Sequence, residues 1–96
     1  MKIRYTATAR AEADEVFAHI ARDNPVAAAA VAAAIKDAIT RLAEFPCIGA
    51  ATNDATVFTK IARPYHYLIF FTIERDTLII RRVRHPARRR PPSKRS

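Results

Sequence analysis

The segment Tyr65-His-Tyr-Leu-Ile-Phe-Phe-Thr-Ile-Glu-Arg-Asp-Thr-Leu-Ile-Ile-Arg-Arg-Val-Arg-His85 contains two runs of β-branched and aromatic residues on either side of Arg75-Asp76. Such runs favour strands, and a two-residue connection is typical of a tight hairpin, although Arg-Asp is not the favoured Asn-Gly chemistry. We therefore predict paired antiparallel strands over Tyr65–Glu74 and Leu78–His85. Apolar residues on both faces of the first strand predict that helices cover one face and that a partner can cover the other.

Two helices are predicted upstream of this hairpin. The first is expected to begin after an N-cap at Thr8, with Glu12 in its first turn, and to end near Arg22. Asn24 then caps a second helix, and Pro25 fits its first position. The apolar face of that helix repeats at three- and four-residue spacing: Val31, Ile35, Ile39, Leu42 and Phe45. The short joint between the helices predicts an antiparallel helical hairpin.

Two further strands complete the predicted fold. The sequence alternates in polarity over Lys2–Thr6, and Thr56–Ala62 also has strand character. Between the second helix and that later strand, Cys47 to Ala55 is predicted to be a loop. The expected fold is therefore α+β in the order β-α-α-β-β-β: an N-terminal strand, a two-helix antiparallel hairpin and a three-stranded antiparallel sheet. We expect one domain over residues 1–88 and a basic C-terminal tail over residues 89–96.

The length of 96 residues suits one small domain, and the one cysteine excludes an intrachain disulfide. The N-terminus lacks the apolar run of a signal peptide. No apolar run approaches the roughly 20 residues that a membrane helix needs. We therefore expect a soluble cytoplasmic protein with no membrane contact.

The net charge of +8 is concentrated at one end of the chain. Acids and bases balance through Asp76, and every charged residue after it is a Lys or an Arg. Such asymmetry indicates an anionic partner, either a nucleic acid or an acidic protein segment. The alternative for residues after Pro91 is a tail that only aids solubility.

Four motifs, spread over nearly the whole chain, together resemble the RelE/ParE superfamily of bacterial toxins. They are Ala11-Glu-Ala-Asp-Glu-Val-Phe-Ala-His-Ile20 followed by Asp23-Asn-Pro25, then Leu42-Ala-Glu-Phe-Pro-Cys-Ile-Gly49, Tyr67-Leu-Ile-Phe-Phe71 and Arg82-Val-Arg-His-Pro-Ala-Arg88. The last is similar to the superfamily's ending, valine-x-histidine-x-x-arginine, and is the most specific of the four. The resemblance implies the toxin of a type II toxin–antitoxin system, neutralised by a co-expressed antitoxin that wraps around it.

Members of this superfamily act in two ways, as ribosome-dependent mRNA endonucleases or, in ParE-like members, as poisons of DNA gyrase. The nucleases commonly carry an Arg directly after the central-strand aromatic residue, and here that position is Leu68. The basic residues before that strand are also few, namely Lys60 and Arg63. The chain therefore resembles the ParE branch more closely. The alternative is an endoribonuclease that uses His85 with Arg84 or Arg88, and Lys60 and Arg63 on the phosphate.

The residues expected to bind the antitoxin or the target are Arg63, Tyr67, Arg82, Arg84, His85 and Arg88. Guanidinium groups pair well with carboxylates and phosphates, and His85 is the one weak candidate for proton transfer. The expected partners are an acidic ParD-like antitoxin, in a hetero-oligomer, and DNA gyrase. The basic C-terminus could also contact nucleic acid nonspecifically, and a nucleic-acid-binding module is the third hypothesis. We expect no metal and no cofactor, because Cys47 has no suitably spaced histidine.

Overall fold

The computed structural model describes residues 1–46, 49–52 and 56–85. Within them the elements are β1 (Lys2–Tyr5), α1 (Ala7–Ala21), α2 (Pro25–Glu44), β2 (Ala50–Ala51), β3 (Phe58–Ala62), β4 (Tyr67–Glu74) and β5 (Thr77–Arg84). Their strands form one sheet in the order β1-β5-β4-β3-β2, in which β1 is parallel to β5 and the other pairs are antiparallel. The α+β prediction is confirmed, and the two-residue β2 is an addition within the predicted loop. Cys47, Arg88 and the tail over 89–96 lie outside the described residues.

The helical hairpin packs on one face of the sheet and forms the core with it. On α2 the predicted apolar face is buried except for Phe45, which is 58% exposed because the helix ends one residue earlier, at Glu44. The sheet contributes Ala62, Tyr67, Ile69, Phe71, Leu78, Ile80 and Val83. Among the described residues, neither helix is long and apolar enough to span a membrane.

The capping residues show that local sequence predicts the start of α2 but not the start of α1. Asn24 caps α2 as predicted, and its Oδ1 accepts a hydrogen bond from the Ala27 N–H at 3.0 Å. The predicted cap at Thr8 is wrong: Thr6 caps α1, and its Oγ1 accepts from the Ala9 N–H at 3.0 Å. The Thr6 hydroxyl also donates to the Arg81 carbonyl at 3.0 Å, a contact with β5 that favours the earlier start.

The predicted β4–β5 hairpin is present, with an irregularity that changes the β5 side chains. Phe71 pairs with Ile80, but Phe70 pairs with Arg82, so Arg81 has no partner in the register. This is the pattern of a β-bulge, in which two residues oppose one. As a result Ile80 and Val83 are both buried, and the two residues between them point away from the core.

Candidate functional site

The end of β5 and the start of β4 bring several predicted site residues together. Leu68 pairs with Arg84, so His85 follows directly across from Tyr67. The two rings meet edge to face, with their centroids 5.2 Å apart. Tyr67 is only 4% exposed and belongs to the core, so its ring supports His85 more than it offers a binding surface.

Arg82, which was predicted from the sequence to bind a partner, already forms an ion pair within the chain. Its Nη2 donates to Glu12 Oε2 at 2.7 Å, and its Nε lies 3.0 and 3.1 Å from the two carboxylate oxygens. Glu12 Oε1 also accepts from the Val83 N–H at 2.8 Å. One carboxylate of α1 therefore holds both a side chain and a backbone donor of β5, and a partner could bind Arg82 through bidentate bonds only in competition with Glu12.

The ionisation of Glu12 follows from these contacts. Desolvation is the largest single effect and raises its pKa, but the hydrogen bonds from Arg82 and Val83 act in the opposite direction. The positive charges of Arg82 and Arg84 add to them, and together these interactions hold the pKa of Glu12 below its ordinary value. The pKa of Arg82 is raised, chiefly by its hydrogen bond to Glu12.

The expected placement of Glu12 in the first turn of the helix is therefore wrong. With the cap at Thr6, no acid lies in the first turn of α1, and Glu12 reaches β5 instead. Glu12 was also missed as a site residue, although a signal was available. It precedes Val16 and Ile20 at four-residue spacing, and both of those pack against the core. A carboxylate on the inward face of a helix needs a cationic or N–H partner.

The face of the sheet away from the helices, which we term the open face, combines apolar and cationic groups. Cross-strand pairing places on it four half-buried apolar residues, Ile61, Leu68, Phe70 and Ile79. Arg81 lies across this face, where its Nε donates to Thr72 Oγ1 at 3.0 Å and its Nη2 lies 3.4 Å from Glu74 Oε2. That coverage explains why Thr72, although on the open face, is only 5% exposed.

A cleft of about 680 Å³ separates α1 from the ends of β4 and β5. Its lining combines polar and apolar groups: Glu15, Val16, Ala18, His19, Arg22, Tyr67 and His85. Arg22 Nη2 lies 3.1 Å from His19 Nδ1, so these two side chains are hydrogen-bonded to each other at the exposed surface of α1. Imidazole and guanidinium groups on the rim could accommodate an anionic side chain. No cluster of three potential metal ligands occurs within the described parts of the chain.

The remaining cations of the predicted site are separated from one another. Arg63 is exposed in the turn over 63–66, before the cis peptide bond to Pro64. Ala62 pairs with Tyr67, so this turn lies at the same end of the sheet as His85. Lys60 pairs with the core residue Ile69, which places it on the helix side of the sheet, whereas Arg84 belongs to the open face.

The element order, the sheet topology and the cation-rich last strand define a small α+β protein of known architecture. The structure superposes on a chain of the "Chromosomal ParDE TA system from P. aeruginosa" with a TM-score of 0.77 and 19% identity, over 88% of this chain and 95% of that one. A family model described as the ParE toxin of the type II toxin–antitoxin system parDE matches residues 3–90. The chain therefore belongs to the ParE toxin family. It is also 35% identical over 79 residues to a candidate toxin of Sinorhizobium fredii, Y4kP, covering 82% of each chain.

Proposed function

We propose that this ParE-family toxin inhibits DNA gyrase by binding to it, without chemistry of its own, and that an acidic ParD-like antitoxin neutralises it. The observation that carries the first part is Leu68. It pairs with Ile61 on one side and with Arg84 on the other, within the apolar part of the open face. A leucine can neither bind a phosphate nor transfer a proton, and this is the position where the superfamily's nucleases commonly carry an arginine. With gyrase as the target, the site of action would be the cytoplasm.

The alternative, a ribosome-dependent endoribonuclease, depends on His85. The observation in its favour is that His85 follows Arg84 directly and has the Tyr67 phenol against its ring. Against it, Lys60 is on the other face of the sheet from Arg84, so these two cations do not converge on one phosphate. The geometry therefore gives His85 stronger support as a structural or contact residue than as an acid or base.

Expression of the toxin in cells without an antitoxin separates the two activities. We expect replication to stall and the DNA-damage response to be induced, while primer extension on translated mRNA detects no new cleavage. His85→Ala should remain toxic, because the proposed function assigns it no proton transfer. Ribosome-dependent mRNA cuts that disappear in His85→Ala would establish the endoribonuclease instead.

For the antitoxin we propose an acidic segment that folds as it binds. Its apolar residues would cover the open face around Phe70 and its carboxylates would meet Arg84. Arg82 would contribute mainly through the long-range attraction of its positive charge, because its Nε and Nη2 already donate hydrogen bonds to Glu12. Binding only to the folded toxin would also raise the toxin's apparent stability by mass action.

A charge reversal tests this docking surface. Arg84→Glu should weaken antitoxin binding by about tenfold or more, equivalent to about 1.4 kcal/mol, because the new carboxylate repels an acidic partner. The matched control is Lys36→Glu, which makes the same change of charge at an exposed position of α2. Titration calorimetry measures both affinities. Equal losses in the two variants would assign the effect to net charge alone and remove Arg84 from the interface.

A further inference from the structure

The outer edge of β1 presents unpaired backbone groups. In the sheet order β1 is an edge strand, and the described residues place no strand beyond it. The Lys2 N–H donates to the Asp76 carbonyl at 2.8 Å and the Thr6 N–H to the Ile80 carbonyl at 3.0 Å, so even-numbered residues direct their backbone groups towards β5. Successive residues of a strand direct these groups to opposite sides. The N–H and C=O groups of Ile3 and Tyr5 therefore point outward.

The side chains along this edge alternate in chemistry. Ile3 aligns with the core residue Leu78, which places it on the helix side of the sheet together with Tyr5. Both remain accessible, at 39% and 37% exposure. Lys2 and Arg4 lie on the open face, where Arg4 aligns with Ile79. The edge therefore offers an apolar rim on one side and a cationic rim on the other.

A further cation lies near the apolar rim. The Arg10 guanidinium lies 5.5 Å from the centroid of the Tyr5 ring, a distance that allows a cation–π interaction. Burial raises the pKa of Tyr5 and the charge of Arg10 partly offsets this, so the ring meets a partner as a neutral phenol. In the β4–β5 turn region, beside the start of β1, Glu74 is paired with Arg81.

A second copy of the chain is a poor occupant for this edge. Antiparallel pairing of two β1 strands about Ile3 would set Lys2 of each copy opposite Arg4 of the other. Like charges directly opposite one another destabilise a strand pair. Cationic residues on an edge strand are one device by which proteins prevent their own edges from pairing. The same charges favour a strand of opposite sign.

We propose that the outer edge of β1 is a strand-addition site for an extended acidic segment of another protein, in which acidic and apolar residues alternate. Its backbone would pair with the N–H and C=O groups of Ile3 and Tyr5. Its carboxylates would lie beside Lys2 and Arg4, and its apolar residues would extend the apolar rim. Assigning this segment to the antitoxin rests on the proposed function, whereas the strand-addition site itself does not.

Amide exchange on the full-length chain tests the site directly. The probe is a capped heptapeptide of alternating glutamate and valine, and the control peptide alternates lysine and valine. With the acidic peptide, we expect hydrogen–deuterium exchange at the Ile3 and Tyr5 amides to slow by about tenfold or more, because both become hydrogen-bonded. The Lys2 and Arg4 amides, which already face β5, should change little. Absence of binding, binding that leaves Ile3 and Tyr5 unprotected, or equal binding of the lysine peptide would overturn the proposal.

Two variants separate backbone pairing from side-chain contact. Ile3→Pro removes an N–H that faces outward and leaves the pairing with β5 intact, as proline permits on an edge strand. Ile3→Ala is its control, because it shortens the side chain and keeps the N–H. Protection of Tyr5 by the acidic peptide should be lost in Ile3→Pro and retained in Ile3→Ala. Equal protection in the two variants would exclude strand addition.

A charge reversal keeps the test decisive if the proline variant does not fold. Lys2→Glu combined with Arg4→Glu should invert the preference, so that the lysine peptide protects Ile3 and Tyr5 and the acidic peptide does not. An unchanged preference would overturn the proposal. None of these measurements involves gyrase, so failure of the gyrase hypothesis and failure of this one are distinguishable.

Discussion

Glu12 joins α1 to the end of β5 through one carboxylate. Its side chain is 20% exposed, and it accepts from the Arg82 guanidinium and from the Val83 N–H. Beyond Ile80, the last residue of β5 aligned with β1, the Val83 N–H has no β1 strand to pair with. A half-buried carboxylate with both a charged and a backbone donor stabilises more than a fully exposed ion pair does.

Glu12→Gln should lower the free energy of unfolding by about 1–2 kcal/mol, since charge-assisted bonds become neutral ones and Arg82 is partly solvated. Urea denaturation followed by circular dichroism gives the value. Glu15→Gln, an exposed change on the same helix, is the control and should shift stability by less than about 0.5 kcal/mol. A loss of the same size in both variants would contradict a specific link between Glu12 and β5.

The same carboxylate predicts a pH dependence. The pKa of Glu12 is lowered in the folded state, so its contribution is complete above the unfolded pKa of glutamate, about 4.3, and is lost as the pH falls through the folded pKa. The stability difference between the wild type and Glu12→Gln should therefore be constant between about pH 7 and pH 5.5 and shrink below about pH 4. A difference that persists at about pH 2 would show that ionisation of Glu12 is not its cause.

At the scale of the elements, the loop after α2 depends on a close approach to β4. A Cβ atom on Gly49 would overlap the ring of Phe71, lying 2.8 Å from its Cε1. Phe71 is fully buried and cannot move without disturbing the core. Any side chain at position 49 therefore forces this loop away from the sheet.

Gly49→Ala should accordingly destabilise the protein by about 1–3 kcal/mol, as expected for overpacking. Thermal unfolding by calorimetry measures the loss. The double variant with Phe71→Leu tests the cause, because a smaller side chain at 71 makes room for the new methyl group. The alanine should cost less in the Phe71→Leu background than in the wild type, and an equal cost in both would exclude this overlap as the reason.

Much of the fold follows from periodic patterns, and what was missed depends on contacts between distant parts of the chain. The apolar spacing of α2 and the Asn24-Pro25 start both predicted that helix. For α1, Thr6 and Thr8 are equally good caps by local sequence, and the contact of Thr6 with Arg81 across 75 positions decides between them. The bulge at Arg81 has no local signal, because it arises from the simultaneous burial of Ile80 and Val83.

The arrangement of the candidate site could likewise be predicted only in part. The hairpin brings the start of β4 near the end of β5, but a turn at Arg75-Asp76 alone would place Tyr67 opposite Arg84. The bulge at Arg81 shifts the register by one residue and brings His85 opposite Tyr67. The partner of Arg82 did not follow from the sequence, since Glu12 is 70 positions away and becomes a neighbour only after α1 packs beside β5. The sequence pattern predicts the face of the sheet on which an arginine lies, but it does not predict which carboxylate binds that arginine.

At the scale of the whole molecule, the positive charge is concentrated toward the C-terminal end of the chain. Deleting residues 89–96 removes four of the basic residues and no acid. The toxin hypothesis predicts that the truncated chain is less toxic but still active, with weaker nonspecific DNA binding. Fluorescence anisotropy should show a smaller dependence of that binding on salt, because fewer counterions are released. A folded, truncated chain with no toxicity at all would favour the nucleic-acid-binding module.

A supercoiling assay with purified components tests most directly the proposal that this ParE-family chain acts on gyrase by binding alone. Full-length toxin is titrated into DNA gyrase with relaxed plasmid and ATP, in parallel with a ribosome-bound mRNA. Supercoiling should fall as the toxin approaches the concentration of gyrase, while the mRNA stays intact. Unchanged supercoiling, together with mRNA cut on the ribosome, would contradict the proposal.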